Sequence, residues 1–480
     1  VPHTYEANNR MSNFYPGLYN QANAPIFLSD GSISPASPGL GTSPNPILAG
    51  TQFYLNGIGI AGQPGVPTGL VDNHWAAFGP RVGFAYDLTG SGKTILRGGF
   101  GTMYERIQGN DMYNAGPNVP FSSSVTFNNV LLSNPNTSAQ SGATLAAPIT
   151  VADITGLNKQ EYKLPVSYQY SIGIQQALGA KTVLSASYVG NQNRHQNDYR
   201  ESNLPDPSLL PAIATGTASA PYNQLVPFQG FHSIKLSETV QNSHYNGFQT
   251  EFRSQVRRDL TLQAAYTLSR AIDPATNATG VGDLTNVSNP YSYTYDDGPS
   301  GLDRTHIFFA NFIYDLPIFR NSSNKLLKGT VGGWQISGIV TAVSGNALNI
   351  TQGGRGNNIS NVLPNTNNRP DINGSISYPK TVNQWFNTSV FSDPAAGTFG
   401  NTPFDVLRAP GRQNWNLALF KSFVISESRG TRFELRAESF NTFNHTEFKD
   451  VSTTFSNGNF GAITSAHDPR EIQLGAKLIF

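Results

Sequence analysis

One stretch of the sequence brings acidic and aromatic side chains close enough together to bind a ligand. Residues 291–298 contain Tyr293, Tyr295, Asp296 and Asp297. Carboxylate oxygens are the ligands that Ca²⁺ prefers, and aromatic rings commonly line the sites of sugars and other small molecules. The stretch is therefore a candidate ligand-binding loop. The same polar residues would also suit a solvated loop that binds nothing.

The remaining motifs do not assemble a catalytic or cofactor site. Residues 90–94 resemble part of a phosphate-binding loop, but Asp87 stands where that motif requires a glycine, and a strand-like run follows where it requires a helix. The eight histidines show no metal-ligand spacing. No nucleophile, base and oxyanion donor can be grouped by spacing. We therefore predict no enzyme activity, no cofactor and no metal site.

The composition excludes several classes of protein. Thirty-one Lys and Arg residues balance 30 Asp and Glu residues, so the chain lacks the basic excess of a nucleic-acid-binding protein. It has no cysteine, which excludes disulfides and thiolate zinc sites. No apolar run reaches the roughly 20 residues of a transmembrane helix. The 47 glycines, 31 prolines and 11% aromatic residues are typical of an all-β protein with many turns.

Alternation of apolar and polar residues is the dominant pattern, and it predicts strands. At the C-terminus, Ile472, Leu474, Leu478 and Phe480 lie on one face of such a strand and polar residues on the other. About eleven segments of roughly ten residues show this pattern, a length that crosses a bilayer as a tilted strand. They lie near residues 81–88, 94–104, 166–176, 181–190, 245–254, 259–269, 304–316, 331–344, 412–423, 430–442 and 471–480.

The connections between these segments alternate strictly in length. Short or medium turns join the segments into hairpins, and a loop of tens of residues follows each hairpin. The long loops are residues 105–165, 191–243, 270–303, 345–411 and 443–470. This order places every long loop at one end of the sheet, which is typical of bacterial outer-membrane barrels with short periplasmic turns and long extracellular loops. The sequence thus predicts an all-β, antiparallel transmembrane β-barrel in the outer membrane.

A charged row on one predicted strand has a defined place in such a barrel. Arg432, Glu434, Arg436 and Glu438 share one face, and the residues between them are apolar. Because a charge at the bilayer midplane costs about 2 to 4 kcal/mol, the row must face the lumen. It would line a polar channel or contact a plug there. A ladder of cross-strand ion pairs is the alternative.

The strand pattern also divides the chain. Residues 1–80 form a loop-rich segment, taken as an extracellular loop with at most one weak strand near residues 51–60. Residues 81–480 carry the barrel strands. Eleven is an odd number, whereas single-chain bacterial barrels use even ones. We therefore expect the C-terminal portion of a larger barrel, or a barrel whose first strands are not evident in the sequence.

Four segments resemble the C-terminal barrel of TonB-dependent outer-membrane receptors, most closely the Oar-like group common in acidobacteria. They are residues 78–86, 302–306, 440–445 and 468–480. Receptors of this kind have a 22-stranded barrel around an N-terminal plug. The resemblance covers essentially the whole chain but only part of such a receptor. We find no plug, TonB box or signal peptide, so the sequence is expected to be a fragment with the plug absent.

The resemblance implies a function and partners. The terminal strand, with Phe480, Leu478 and Leu474, is similar to the sorting signal that the barrel assembly machinery recognises. The chain would form the wall and the ligand-facing loops of a receptor for nutrient uptake. Its partners would be outer-membrane lipid and lipopolysaccharide, the TonB system only through the missing plug, and an unknown small nutrient, glycan or peptide.

Other functions fit parts of the pattern. A passive pore would use the same wall strands. A surface-assembled β-rich adhesin or filament subunit would pair its exposed strand edges with neighbouring chains. An all-β carbohydrate-active enzyme would need a convergent pair of carboxylates, which the sequence does not place.

Overall fold

The computed structural model describes residues 6–106, 109–123, 130–138, 148–274, 287–319, 322–354 and 358–480. The strands are β1 (Ser12–Phe14), β2 (Leu40–Thr42), β3 (Gln52–Tyr54), β4 (Ile58–Ile60), β5 (Arg81–Asp87), β6 (Thr94–Tyr104), β7 (Val130–Leu131), β8 (Asn134–Ser138), β9 (Ala152–Leu157), β10 (Val166–Gly179), β11 (Thr182–Glu201), β12 (Phe231–Arg257), β13 (Leu260–Ile272), β14 (His306–Asp315), β15 (Trp334–Val343), β16 (Ala347–Leu348), β17 (Asp371–Ile372), β18 (Phe391–Ser392), β19 (Leu407–Arg408), β20 (Arg412–Ser426), β21 (Thr431–Phe440) and β22 (Glu471–Ile479). The α-helices are α1 (Gly109–Asn114), α2 (Leu210–Ala214), α3 (Tyr222–Leu225) and α4 (Lys325–Thr330). Short 3-10 turns lie at Pro16–Leu18, Gln21–Asn23, Pro46–Leu48, Pro207–Leu209 and Ile359–Asn361.

One sheet of twelve strands dominates the fold. Eleven of them form an antiparallel meander in the order β5, β6, β10, β11, β12, β13, β14, β15, β20, β21, β22. We call these the wall strands. The twelfth, β9, pairs in parallel with β12 beyond the meander, an arrangement that the predicted all-antiparallel sheet did not include. Strands β5 and β22 are the two ends of this order within the described residues. The predicted mostly-β fold with a large antiparallel sheet is confirmed.

The register gives the wall two chemically different faces. Leu262 of β13, Phe312 of β14 and Gly338 of β15 lie opposite one another on the apolar face. Their sequence neighbours Gln263 and Asn311 lie opposite each other on the polar face. The apolar face carries many of the exposed large hydrophobic side chains, among them Phe84, Ile172, Leu419, Leu474 and Leu478. In a membrane-spanning barrel such a face contacts lipid.

Turn chemistry closes the short connections at one end of the wall. In the first turn the Asp87 carboxylate accepts hydrogen bonds from the backbone of Thr89 and Gly92. Gly90 and Gly92 have positive φ angles, which glycine adopts without strain. Helix α4 fills the connection between β14 and β15, and Asn324 caps its N-terminus. Among the described residues, no helix is long and apolar enough to cross a membrane.

The long connections pack together at the other end of the wall, where the hydrophobic core lies. One cluster joins Phe14 and Tyr54 of the N-terminal segment to Ile154 of β9 and to Phe231 and Ile234 of β12. A second cluster contains Phe386, Phe391 and Leu407 from the loop after β15. Phe460 from the loop after β21 packs against it. We call this packed region the loop domain.

Residues 1–80 differ from the sequence prediction of at most one weak strand. The described residues 6–80 form four strands of three residues each, β1 to β4, which pair as β1 with β4 and β2 with β3. The predicted strand near residues 51–60 is divided at Gly57, which has a φ of 91°. A Cβ atom there would lie 2.5 Å from the Phe14 ring. The segment is therefore part of the packed loop domain.

Candidate ligand-facing loops

A buried arginine holds the acidic and aromatic stretch that the sequence singled out. The Arg369 side chain is 2% exposed. Its Nη1 lies 2.7 Å from Oδ1 of Asp296, and its guanidinium stacks 3.7 Å from the centre of the Tyr295 ring. It also donates to the backbone carbonyls of Tyr295 and Thr402. Since Asp296 Oδ2 accepts from the backbone N–H of Ser288, both carboxylate oxygens are engaged.

A second arginine holds the same stretch from the wall side. Arg200 of β11 forms an ion pair with Glu238 of β12, with 3.1 Å between Nε and Oε2. Its guanidinium stacks 3.6 Å from the centre of the Tyr293 ring and donates to the carbonyl of Pro290. The loop is thus fixed between two arginines, each of which combines an ion pair with an aromatic stack.

These contacts correct one part of the ligand-loop prediction and leave the rest as a proposal. Asp296 is 7% exposed and committed to Arg369, so its carboxylate does not face a ligand. Tyr295 points inward as well, because its hydroxyl donates to the carbonyl of Gly400. Tyr293, at 53% exposed, and the exposed Asp297 are the two predicted residues that solvent reaches. Burial, followed by the nearby Asp296 carboxylate, raises the pKa of Asp297.

Sequence reasoning missed Arg200 and Arg369. Arg200 lies 90 residues from Pro290, and Arg369 lies 73 residues from Asp296. No motif connects such distant positions. Their only signal is that each arginine lies within a segment predicted as a long loop, residues 191–243 or 345–411, whose aromatic and acidic partners come close only after folding.

The charged row lies on the polar face of β21. Arg432 and Glu434 form an ion pair with 2.9 Å between Nε and Oε1. Arg436 and Glu438 form a second pair, with 3.8 Å between Nη1 and Oε1. Both pairs join residues two apart along the same strand, rather than opposite residues of a cross-strand ladder. On the neighbouring strand β22, Lys477 lies opposite Glu434.

The predicted sorting residues lie on the opposite, apolar face. Leu474 and Leu478 lie opposite Ala437 and Phe433 of β21. Leu474 is 77% exposed, and Phe480, immediately after β22, is 94% exposed. Leu474, Leu478 and Phe480 are therefore all accessible to a binding partner on the apolar face of the terminal strand. Their role in sorting remains a prediction.

A buried carboxyl marks a pH-sensitive point of the loop domain. Asp405 is 3% exposed, and its Oδ2 has no hydrogen-bond partner among the described residues. Burial raises the pKa of Asp405 to about 7, although Arg369 and Arg408 act in the opposite direction. Because the protonated form is favoured in the folded state, this carboxyl stabilises the fold below pH 4, and that contribution is lost as the pH rises through about 7.

We expect resistance of residues 358–411 to protease to fall between pH 5.5 and pH 8.5. Asp405→Asn removes the titrating group but keeps its shape, so the variant is expected to be equally resistant at both pH values. The measurement is limited proteolysis of the purified protein with a protease whose rate is calibrated at each pH. An equal pH effect in both proteins would place the titrating group elsewhere.

The family follows from a comparison of the whole sequence with known families. The model of the outer membrane beta barrel domain matches residues 1–473. The chain belongs to this family. It is accordingly a protein of the outer membrane, with the apolar face of its wall strands against lipid. No curated protein sequence matches it significantly.

Several solved structures of outer-membrane transporters match the chain at low identity. The transporter YddB from Escherichia coli is 11% identical with a TM-score of 0.44, and the match covers 82% of this chain and 39% of YddB. FpvA of P. aeruginosa, bound to pyoverdines, is 11% identical with a TM-score of 0.36, over 87% of this chain and 34% of FpvA. BauA, the ferric preacinetobactin receptor from Acinetobacter baumannii, is 12% identical with a TM-score of 0.36, and the match covers 83% of this chain and 36% of BauA. The chain spans less than two-fifths of the length of each of these proteins.

Proposed function

We propose that this family member forms the wall and the ligand-facing loops of a TonB-dependent outer-membrane receptor of the Oar-like type. The receptor imports a small nutrient, glycan or peptide. The observation that carries the proposal is the packed loop domain. A passive pore needs an open mouth, whereas here the long connections share hydrophobic clusters. A surface held in fixed geometry suits selective binding.

Two further features support a receptor. Tyr293 and Asp297 are presented to solvent by a loop that Arg200 and Arg369 hold in place. The polar face carries the Arg432 to Glu438 row, which in a barrel would line the lumen and contact a plug. Energy coupling would run through that plug and the TonB system. Insertion would depend on recognition of Leu474, Leu478 and Phe480 by the barrel assembly machinery.

Growth and uptake measurements in the natural host test the proposal. A strain that lacks the gene is grown on limiting amounts of single nutrients: oligosaccharides, oligopeptides or ferric chelates. We expect a growth defect with one class only, restored by the wild-type gene. Uptake of the radiolabelled nutrient is expected to stop when an uncoupler dissipates the proton gradient. A passive pore would continue to equilibrate the label.

Paired variants connect that uptake to the loop. Tyr293→Ala with Asp297→Asn is expected to raise the concentration needed for half-maximal uptake at least tenfold, because both contacts are at solvent. The matched control is Tyr113→Ala, which changes an exposed tyrosine of helix α1 outside this loop. Equal uptake by both variants would remove the ligand role of Tyr293 and Asp297. Steady KCl conductance of the purified protein in a planar bilayer would favour the pore.

A further inference from the structure

Two arginines and two histidines gather on the apolar face at the end of the wall next to the loop domain. They lie on four consecutive strands: Arg194 on β11, His244 on β12, Arg270 on β13 and His306 on β14. In the register, His244 lies opposite Gln192, Arg270 opposite Asn246, and His306 opposite Leu268. Neighbouring strands lie about 4.8 Å apart and diagonal positions about 7 to 8 Å apart. The four side chains therefore form one contiguous group, which we call the cationic patch.

The cationic patch has no negative counterpart on its own face. Where the two faces alternate regularly, up to Asn193 of β11 and from Ser243 of β12, no Asp or Glu lies at a described, paired position of the apolar face. Asp198 and Glu201 of β11 lie beyond these positions and are buried in the loop domain. The carboxylates of the same strands, such as Glu251 and Asp315, lie on the polar face. Asp303, which accepts from the backbone of Ala271, is paired with Arg408 at 2.7 Å. The charge of Arg270 is thus not neutralised by that carboxylate.

The guanidinium groups remain able to bind an anion. Arg270 is exposed and has no hydrogen-bond or ion-pair partner among the described residues. Arg194 donates to the Asn193 carbonyl and to Oε1 of Gln192, which holds it close to the strand. The His306 ring contacts the Tyr266 hydroxyl through Nδ1, with 2.8 Å between the atoms, which leaves Nε2 available.

Tyrosine hydroxyls place the patch at the level of lipid headgroups. The hydroxyls of Tyr170 and Tyr188 both donate to Oδ1 of Asn246, at 3.2 and 2.7 Å. Tyr266 makes the corresponding contact with His306. Tyrosines whose rings lie against the apolar band and whose hydroxyls point out of it mark a membrane interface. The cationic patch lies among and just beyond these hydroxyls.

A further cation of the apolar face, Lys421, is satisfied within the protein. Lys421 lies at the short-turn end of β20, where its Nζ donates to the carbonyls of Thr330 and Gly332 at 2.8 and 2.6 Å. Backbone carbonyls thus accept the hydrogen bonds of a cation at that end. The loop-domain end has a different arrangement, with two arginines turned toward the lipid side.

We propose that the cationic patch binds the phosphate groups of a lipid headgroup in the outer leaflet. A guanidinium donates in pairs to phosphate oxygens, and basic clusters at a membrane surface bind phosphorylated lipids. Arg194 and Arg270 would provide the main contacts, His244 and His306 would add donors, and the tyrosine rings would lie along the acyl chains. This inference concerns the lipid side of the wall and is independent of the imported nutrient.

Binding of fluorescent bis-phosphorylated lipid A to the full-length protein in detergent tests the proposal. Arg194→Gln with Arg270→Gln is expected to weaken binding about 25-fold, or about fivefold per arginine, which corresponds to ~1 kcal/mol each. The matched control is Arg81→Gln with Arg412→Gln, two exposed arginines near the same end of the wall but on its polar face. That variant is expected to bind like the wild type.

Three further measurements decide the outcome. Arg194→Lys with Arg270→Lys keeps the charge and is expected to retain most of the affinity, and heat-modifiable gel migration shows that every variant is folded. Lipid A stripped of both phosphates is expected to bind the wild-type protein as weakly as it binds the variant with both arginines changed to glutamine. If stripped lipid A binds as well as the phosphorylated form, or if both pairs of Gln variants weaken binding equally, the proposal is wrong. Equal competition by inorganic phosphate would show an anion site without lipid selectivity and would also overturn it.

Discussion

Arg369→Ala is expected to release the loop that contains residues 287–300 and to destabilise the loop domain by about 3 to 5 kcal/mol. The substitution removes the ion pair with Asp296, the stack on Tyr295 and two hydrogen bonds to carbonyls. It also leaves the Asp296 carboxylate buried without its counter-charge, which is the costly part of breaking a buried ion pair. Limited proteolysis and urea unfolding of the purified protein measure the effect.

Two controls separate the buried ion pair from charge in general. Arg253→Ala breaks the pair with Glu251, in which the arginine side chain is 66% exposed, and exposed pairs contribute about 0 to 1 kcal/mol. Arg369→Met with Asp296→Asn removes both charges while largely filling the space, so it is expected to be more stable than Arg369→Ala alone. If Arg369→Ala is no less stable than Arg253→Ala, the arginine does not hold this loop.

The wall could be predicted from the sequence because its strands have one polar and one apolar face. The period of two survives in each segment, so strand positions follow from a local pattern. The segment predicted at 471–480 is β22, Glu471–Ile479, and the one predicted at 166–176 is the start of β10, Val166–Gly179. The polar placement of Arg436 between apolar neighbours follows from the same rule.

The loop domain could not be predicted because its strands are covered on both sides. The sequence placed the start of one strand near residue 245, whereas β12 begins at Phe231. In residues 231–237 the strand pairs in parallel with β9. Ile234 and Leu236 are buried on one side of the strand, and Ser233 and Ser237 are buried on the other. A strand covered by loops on both faces loses the simple alternation on which the prediction depended.

The candidate site shows the same limit. Composition alone identified residues 291–298 as unusual, but it did not distinguish outward from inward side chains. Asp296 is buried and Asp297 next to it is exposed, because the partner of Asp296 is Arg369 from a different loop. Local sequence thus located the loop, and contacts between distant residues determined which side chains solvent reaches.

Placing one arginine on each face of a single wall strand is expected to give opposite results. Ile172 is 52% exposed on the apolar face in the middle of β10, and Ser171 beside it lies on the polar face. Arginine at the bilayer midplane on the lipid side costs about 2 to 4 kcal/mol, whereas the polar face accepts charge. Ile172→Arg is therefore expected to reduce the folded, heat-modifiable protein in outer-membrane fractions severalfold, and Ser171→Arg to leave it near the wild-type amount. Ile172→Ala loses packing without adding charge, so the amount of folded protein is expected to lie between those of the two arginine variants. An equal loss of folded protein in both arginine variants would mean that lipid does not distinguish the two faces.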